Sequence, residues 1–213
     1  MENKNKTILS LCSGTGAWEK PYVEAGYNIV SVTLPEYDIT KWREYKDLVD
    51  IVENGKVYGI LAAPPCTAFS FARSTGKTMR DLSSGMKIVK SCLEIIWECQ
   101  YKLKSDNAKE TPLKFWALEN PFGLMRRFLG HPVMIFNPWM WGDMYQKKTC
   151  LWGFFNQPVP KITEYKTTKF DKLHMRDLPK IPEGYFSPVE NKRQSMRAVT
   201  PSGFSKAFYN ANK

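Results

Sequence analysis

Val57-Tyr58-Gly59-Ile60-Leu61-Ala62-Ala63-Pro64-Pro65-Cys66-Thr67-Ala68-Phe69-Ser70 is the stretch whose reading decides the fold. Its first residues, Val57 to Ala62, form a short apolar run, which is how a buried strand reads. Pro64 and Pro65 then fix φ and withhold ladder donors, so the strand has to stop there. Cys66 follows on a stiff turn at the strand's carboxyl end, where open α/β sheets put their working groups. A cysteine taken alone is most simply a small buried hydrophobe. Its meaning depends on what else the chain carries.

Towards the amino terminus, Thr7-Ile8-Leu9-Ser10-Leu11 is apolar and β-prone, and it runs into Cys12-Ser13-Gly14-Thr15-Gly16-Ala17-Trp18. A helical pattern continues through Glu24 and ends near Gly26. Strand, glycine turn and helix make the layout of a dinucleotide-type site, where glycines let the backbone approach a ligand closely. A plain tight turn reads the same way. A second strand is predicted from Asn28 to Leu34, followed by Glu36-Tyr37-Asp38-Ile39-Thr40. Met86, Val89, Leu93, Ile96 and Trp97 recur at helical spacing and predict a long helix from Asp81 to about Lys104. Phe115 to Leu118 reads as another buried strand, ending at Glu119-Asn120-Pro121, where an acid serves equally well as a helix cap. Arg197-Ala198-Val199-Thr200-Pro201 precedes a terminal helix. The predicted class is α/β, Rossmann-like, with a mostly parallel central sheet.

Composition narrows the function classes. The 213 residues are expected to form a single domain with a substantial core, and 43% hydrophobic content with seven tryptophans excludes wholesale disorder. No run of about 18 apolar residues predicts a membrane span, and Met1 to Lys6 lacks the core of a signal peptide. Five cysteines, an odd number without metal spacing, predict a reducing, cytoplasmic compartment. His131 and His174 have no neighbours that make a metal site, so no metal is expected. Cys92 and Cys99 read as buried thiols on the long helix, and Pro138-Trp139-Met140-Trp141 as core packing. The net charge of +10 fits a polyanion partner. Arg73 to Arg80, directly after the Cys66 turn, is a basic loop of mainly small residues; Asn156 to Arg197 mixes lysine, proline and aromatics without a long regular element.

In this order the motifs resemble the cytosine-5 DNA methyltransferase family, from about Ile8 to Phe208. The resemblance implies that Cys12, Ser13, Gly14, Thr15 and Gly16 lie under the methionine part of S-adenosylmethionine. It implies that Asp38, with Ile39, contacts the adenine amino group. Pro64-Pro65-Cys66-Thr67-Ala68-Phe69-Ser70 is similar to the family's fourth motif, with Cys66 as nucleophile, Pro64 towards the cofactor, and Pro65, Thr67, Ser70 and the downstream Arg73 towards the substrate. Glu119 and Asn120 match the sixth motif. Gln146-Lys147-Lys148 is similar to the eighth, which assigns Gln146 and Lys148 to the flipped base and phosphate. Arg197 and Thr200 match the ninth and are implied to meet the substrate. A bacterial cell or phage-infected host is implied as the source.

The departures are specific. Cys12 stands where the family begins its first motif with phenylalanine, which leaves Trp18 to supply the aromatic contact. The second-motif acid that holds the ribose is missing, and Glu36 is its candidate replacement. Only Pro35 to Tyr37 separate Leu34 from Asp38, so the helix that normally separates the second and third strands is absent. Lysines and Cys150 stand where arginines are expected in the eighth motif, and the tenth motif is not recognisable. About 40 residues separate Trp152 from Arg193, so 154–196 is a reduced recognition region or an extended arm.

The implied chemistry explains these residue types. Carbon 5 of cytosine is a poor nucleophile until a thiolate adds to carbon 6, the role of Cys66. Addition drives negative charge onto the ring, and a carboxyl group near nitrogen 3, Glu119, meets it. Asn120 would position the loop. The expected activity is S-adenosylmethionine-dependent methylation of DNA cytosine, with relaxed or short sequence specificity. The same chemistry on a free deoxycytidine nucleotide, single-stranded DNA or RNA is the first alternative, though the charge weighs against a mononucleotide. A catalytically inactive DNA-binding relative is the second. Oligomeric state is left open.

Overall fold

The computed structural model describes residues 2–53, 57–71, 79–102, 113–143, 145–164, 178, 180 and 192–213. Thr7–Leu11 (β1) is buried at every residue, as a strand covered on both faces should be. Lys20–Glu24 (α1) follows the glycine turn with Pro21 in its first turn, and Asn28–Val32 (β2) pairs parallel to β1. Lys46–Glu53 (α2) leads to Val57–Ala62 (β3), which pairs parallel to the other side of β1. Leu82–Trp97 (α3) starts where the Asp81 carboxylate accepts from the Ser84 N–H at 2.9 Å, and it passes into a π-helical turn over Glu98–Lys102. Phe115–Pro121 (β4) pairs parallel to β3. Then come Arg126–Leu129 (α4), Met134–Phe136 (β5), Thr149–Phe154 (β6), Lys192–Ala198 (α5) and Ser202–Ala211 (α6).

The strand order is β2-β1-β3-β4-β6-β5. Only β6 runs against the others, inserted antiparallel between β4 and β5. The result is a six-stranded, mostly parallel α/β sheet, compatible with a Rossmann-like fold. The chain leaves β1 for β2 on one side and returns to β3 on the other, so the carboxyl ends of β1 and β3 flank a topological switch point.

Alternation along each strand feeds two cores. Leu9, Leu11, Ile60 and Ala62 pack beneath α2, α3 and the 3-10 turn Ile39–Glu44. Ile8, Leu61, Phe115 and Ala117 pack with Tyr22 of α1 and with Phe204 and Phe208 of α6. Phe204 stacks on Phe136 with ring centres 4.0 Å apart. The end of α6 is clasped: the Asn156 N–H donates to the Asn212 side-chain oxygen at 2.8 Å, and the Asn212 amide donates to the Asn156 carbonyl at 3.0 Å.

Three predicted elements change. The second strand stops at Val32 rather than Leu34, and the chain then turns through a cis Leu34–Pro35 bond towards Asp38 with no helix between them. The fourth strand continues past Leu118 to Pro121, because β6 supplies ladder partners for Glu119, Asn120 and Pro121. The long helix changes from α-helical to π-helical after Trp97 and is described as far as Lys102, with Lys104 outside the described residues. Among the described residues no helix is long and apolar enough to cross a membrane.

Candidate active site

The β1–β3 ladder ends with the Ala63 N–H donating to the Leu11 carbonyl at 2.9 Å. Pro64 and Pro65 stop it, and Cys66–Ala68 makes one 3-10 turn, with the Ser70 N–H donating to the Cys66 carbonyl at 2.8 Å. Two clamps hold this turn against the end of β4, and a third ties it to Arg80, just before α3. The fully buried Asn120 amide donates to the Pro64 carbonyl at 2.9 Å. Ser70 and Gly123 form an isolated antiparallel bridge, with the Leu124 N–H donating to the Phe69 carbonyl at 2.8 Å. The Arg80 guanidinium donates to the carbonyls of Ala68 at 3.1 Å and Ser70 at 2.9 Å. At Gly123 a Cβ would collide with the Phe69 carbonyl oxygen, so a glycine is needed where the two loops meet.

Register decides which side chains meet. Glu119 lies opposite Leu151 and Pro121 opposite Thr149, so alternation carried back along the chain puts Lys147 on the Glu119 face. The Lys147 ammonium lies 3.6 Å from Glu119, and the two side chains are only 9% and 15% exposed. Lys148 falls on the other face, 4.2 Å from the centre of the Phe122 ring, which the Arg126 guanidinium also meets at 3.6 Å.

Cys66 is partly exposed. Burial pushes its thiol above the usual range; the Lys147 and Arg197 charges pull it down and Glu119 pushes it up. Cys66, Glu119, Lys147 and Arg197 therefore share one electrostatic environment although they come from four parts of the chain. The two cations offset part of the burial cost, but the net effect holds the thiol above its ordinary range.

The glycine turn holds Cys12, Gly14 and Gly16 at φ 56°, 53° and 67°, left-handed values at alternate residues that favour glycine. The Cys92 thiol is hydrogen-bonded to the Cys12 side chain, both cysteines being free, and this contact, with burial, drives Cys92 well up. Ser13 contributes instead to an unpredicted group, Glu19. That residue is 3% exposed and its carboxyl is raised by burial, partly offset by its own backbone and by Ser10, Ser13 and Ser31. Its Oε2 is buried without a hydrogen-bond partner. A cavity of ≈ 600 Å³ adjoins the turn and brings Thr15 and Gly16 together with Tyr145, Thr200 and Ser202. The Tyr145 hydroxyl is buried and has no partner there.

Other predicted residues are placed elsewhere. Trp18 is 4% exposed and packs in the core against Phe208, ring centres 5.4 Å apart, so it offers no face to a ligand at the turn. Ile39 is a core residue. Asp38 caps the 3-10 turn: its Oδ1 accepts from the Thr40 hydroxyl at 2.7 Å and the Thr40 N–H at 3.0 Å, which lowers its carboxyl. Tyr37 and Tyr45 sit beside it, rings 5.0 Å apart. Glu36, Pro65, Thr67 and Gln146 are exposed, and Pro64 is buried. Arg73 and most of 154–196 lie outside the described residues.

Lys147, Glu19 and Tyr145 were not among the predicted site residues. Lys147 was findable only through the register of β6. Glu19 stands where an acid usually caps a helix, and it makes no such cap bond. Among the described residues no group of three or more His, Cys, Asp or Glu is placed to hold a metal ion. No protein-family model matches the chain, and no curated protein sequence gives a match.

Proposed function

We propose that this chain is an S-adenosylmethionine-dependent methyltransferase acting on carbon 5 of cytosine in DNA. The observation that carries the reading is that the Cys66 turn after β3 is tied to the Glu119–Asn120 end of β4 through the Asn120–Pro64 hydrogen bond, with Lys147 paired to Glu119. The residues at the switch point fit the cofactor. The left-handed turn leaves room for a ligand, the ≈ 600 Å³ cavity beside it carries hydroxyls and lysines suited to an amino-acid end, and Asp38 with two tyrosines suits a purine. When bound, S-adenosylmethionine supplies an electrophilic methyl group for carbon 5.

The chain's own residues do the rest. Cys66 loses its proton to solvent water, and its sulfur forms a bond to carbon 6 of the base while the ring electrons move towards carbon 5 and nitrogen 3. Glu119, a carboxylate in its pair with Lys147, first takes up a proton from solvent water, then passes it to nitrogen 3 and takes it back when the ring is restored. Lys147 keeps Glu119 anchored and its charge favours the thiolate. Loss of the hydrogen on carbon 5 as a proton to solvent water lets the carbon–sulfur bond break, which restores the aromatic ring and the free thiolate. Asn120 fixes the distance between the two loops through Pro64.

Incubation with labelled S-adenosylmethionine and duplex DNA, single-stranded DNA or deoxycytidine nucleotide, followed by nucleoside mass spectrometry, tests this. The expected product is 5-methylcytosine, lost in Cys66→Ser while cofactor affinity stays. No label in any substrate, or full activity in Cys66→Ser, overturns the reading.

A further inference from the structure

The two loops that leave the sheet after Cys66 and Glu119 meet in an aromatic and basic strip. Phe71 is 43% exposed, and its ring lies edge-on to Phe122 with centres 6.5 Å apart. Arg126 and Lys148 both lie on Phe122. Neither has a carboxylate partner among the described residues, whereas Lys147, one residue away, is neutralised by Glu119. The Arg126 Nε is buried and makes no hydrogen bond. The Ser70–Gly123 bridge holds the two halves of the strip together.

The geometry points to this strip as the seat of an unpaired nucleic-acid strand: a base beside the reacting cytosine stacks on Phe71, and Arg126 and Lys148 take its phosphates. Stacking on a side chain is open only to a base that is not already stacked in a duplex. Two cations on an aromatic face, without a carboxylate partner among the described residues, suit an anion, and a phosphate backbone supplies one at every nucleotide. The preferred substrate is therefore single-stranded, a refinement that rests on the proposed function for the identity of the reacting base but not for the binding itself.

Binding measured without cofactor tests it, by fluorescence anisotropy with a labelled cytosine-containing single strand and its duplex across a salt series. The parent is expected to bind the single strand at least as tightly as the duplex. Phe71→Ala should weaken single-strand binding about 10-fold and leave duplex binding unchanged. Phe71→Leu, which keeps the apolar volume, should show the same loss. Arg126→Gln and Lys148→Gln should each lower the single-strand salt slope by about 0.7. Binding to duplex alone, or single-strand affinity indifferent to both Phe71 variants, overturns the proposal. So does strip-dependent binding of a polyglutamate peptide in place of the strand. Single-strand binding that depends on Phe71, with no methylation, leaves the strip standing and removes the chemistry; methylation with Phe71-independent binding does the reverse.

Discussion

Cys66 carries a thiol that its surroundings both hinder and help. Burial raises it, two cations lower it, and Glu119 raises it again. The ionised fraction at neutral pH is therefore small and grows as the solution becomes more alkaline. Alkylation of Cys66 by iodoacetamide, followed on its peptide by mass spectrometry, is expected to accelerate with pH well past neutrality. Lys147→Met should move that profile to higher pH, because a stabilising charge is gone. Glu119→Gln should move it to lower pH while cutting turnover by ~10²–10⁴-fold, the usual loss for a general acid. Opposite movements in the two variants are the signature; a shared direction would mean that neither charge faces the thiol. Glu19 gives a second pH effect of known sign. Its folded carboxyl is raised above the ordinary 4.5, so the folded state holds the proton longer than the unfolded chain. Stability should fall as pH rises from there through the folded value. Glu19→Gln removes that loss, so its melting temperature should exceed the parent's at neutral pH and converge on it in acid. Equal melting curves at all pH values would show that Glu19 ionises freely.

Among the elements, β1 and β3 were read from sequence with their true bounds, because each is an unbroken apolar run ended by a local signal: the glycine turn for one, Pro64 for the other. β4 was read short. Glu119, Asn120 and Pro121 have no preference for strand, and they join the ladder only because β6 arrives from a distant part of the chain. β5, only Met134–Phe136, is too short a run to register, and α2 shows just Leu48 and Val52 on its buried side. The same long-range pairing hid the site's basic residue. Gln146, Lys147 and Lys148 are equivalent on paper, and only the β4–β6 register chooses Lys147 for Glu119. Cys66, Glu119 and Asn120 were legible because their turn and strand-end signals are local. The bridge between their loops gives a prediction for this scale. Gly123→Ala pushes a methyl group into the Phe69 carbonyl, at a cost of about 1–3 kcal/mol. Turnover should drop and cofactor affinity should hold, since the glycine turn after β1 is untouched. Calorimetry with S-adenosylhomocysteine beside a turnover assay separates the two; unchanged turnover would show that the loops need no bridge.

For the whole molecule, composition and charge set the expectations that structure alone does not decide. The chain carries a net charge of +10, and phosphate contacts give affinity without reading sequence. About 40 residues between Trp152 and Arg193 leave few side chains to reach base edges. Methylation is expected at many cytosines, with at most two or three flanking bases discriminated, and nucleic-acid affinity should fall steeply with salt. Bisulfite sequencing of treated DNA checks this, and a clean site of four or more defined bases would contradict it. The two cores also differ in when the growing chain can complete them. Every residue of the core beneath α2 and α3 has been synthesised once Trp152 is made. The opposite core needs Phe204 and Phe208, and the Asn156–Asn212 clasp closes it last of all. During translation Ile8, Tyr22, Leu61 and Phe115 therefore wait for a cover that is made well after the opposite core is complete. A nascent chain stalled before Phe204 should be a client of a chaperone holdase, and one in which Asn212 has cleared the exit tunnel should not.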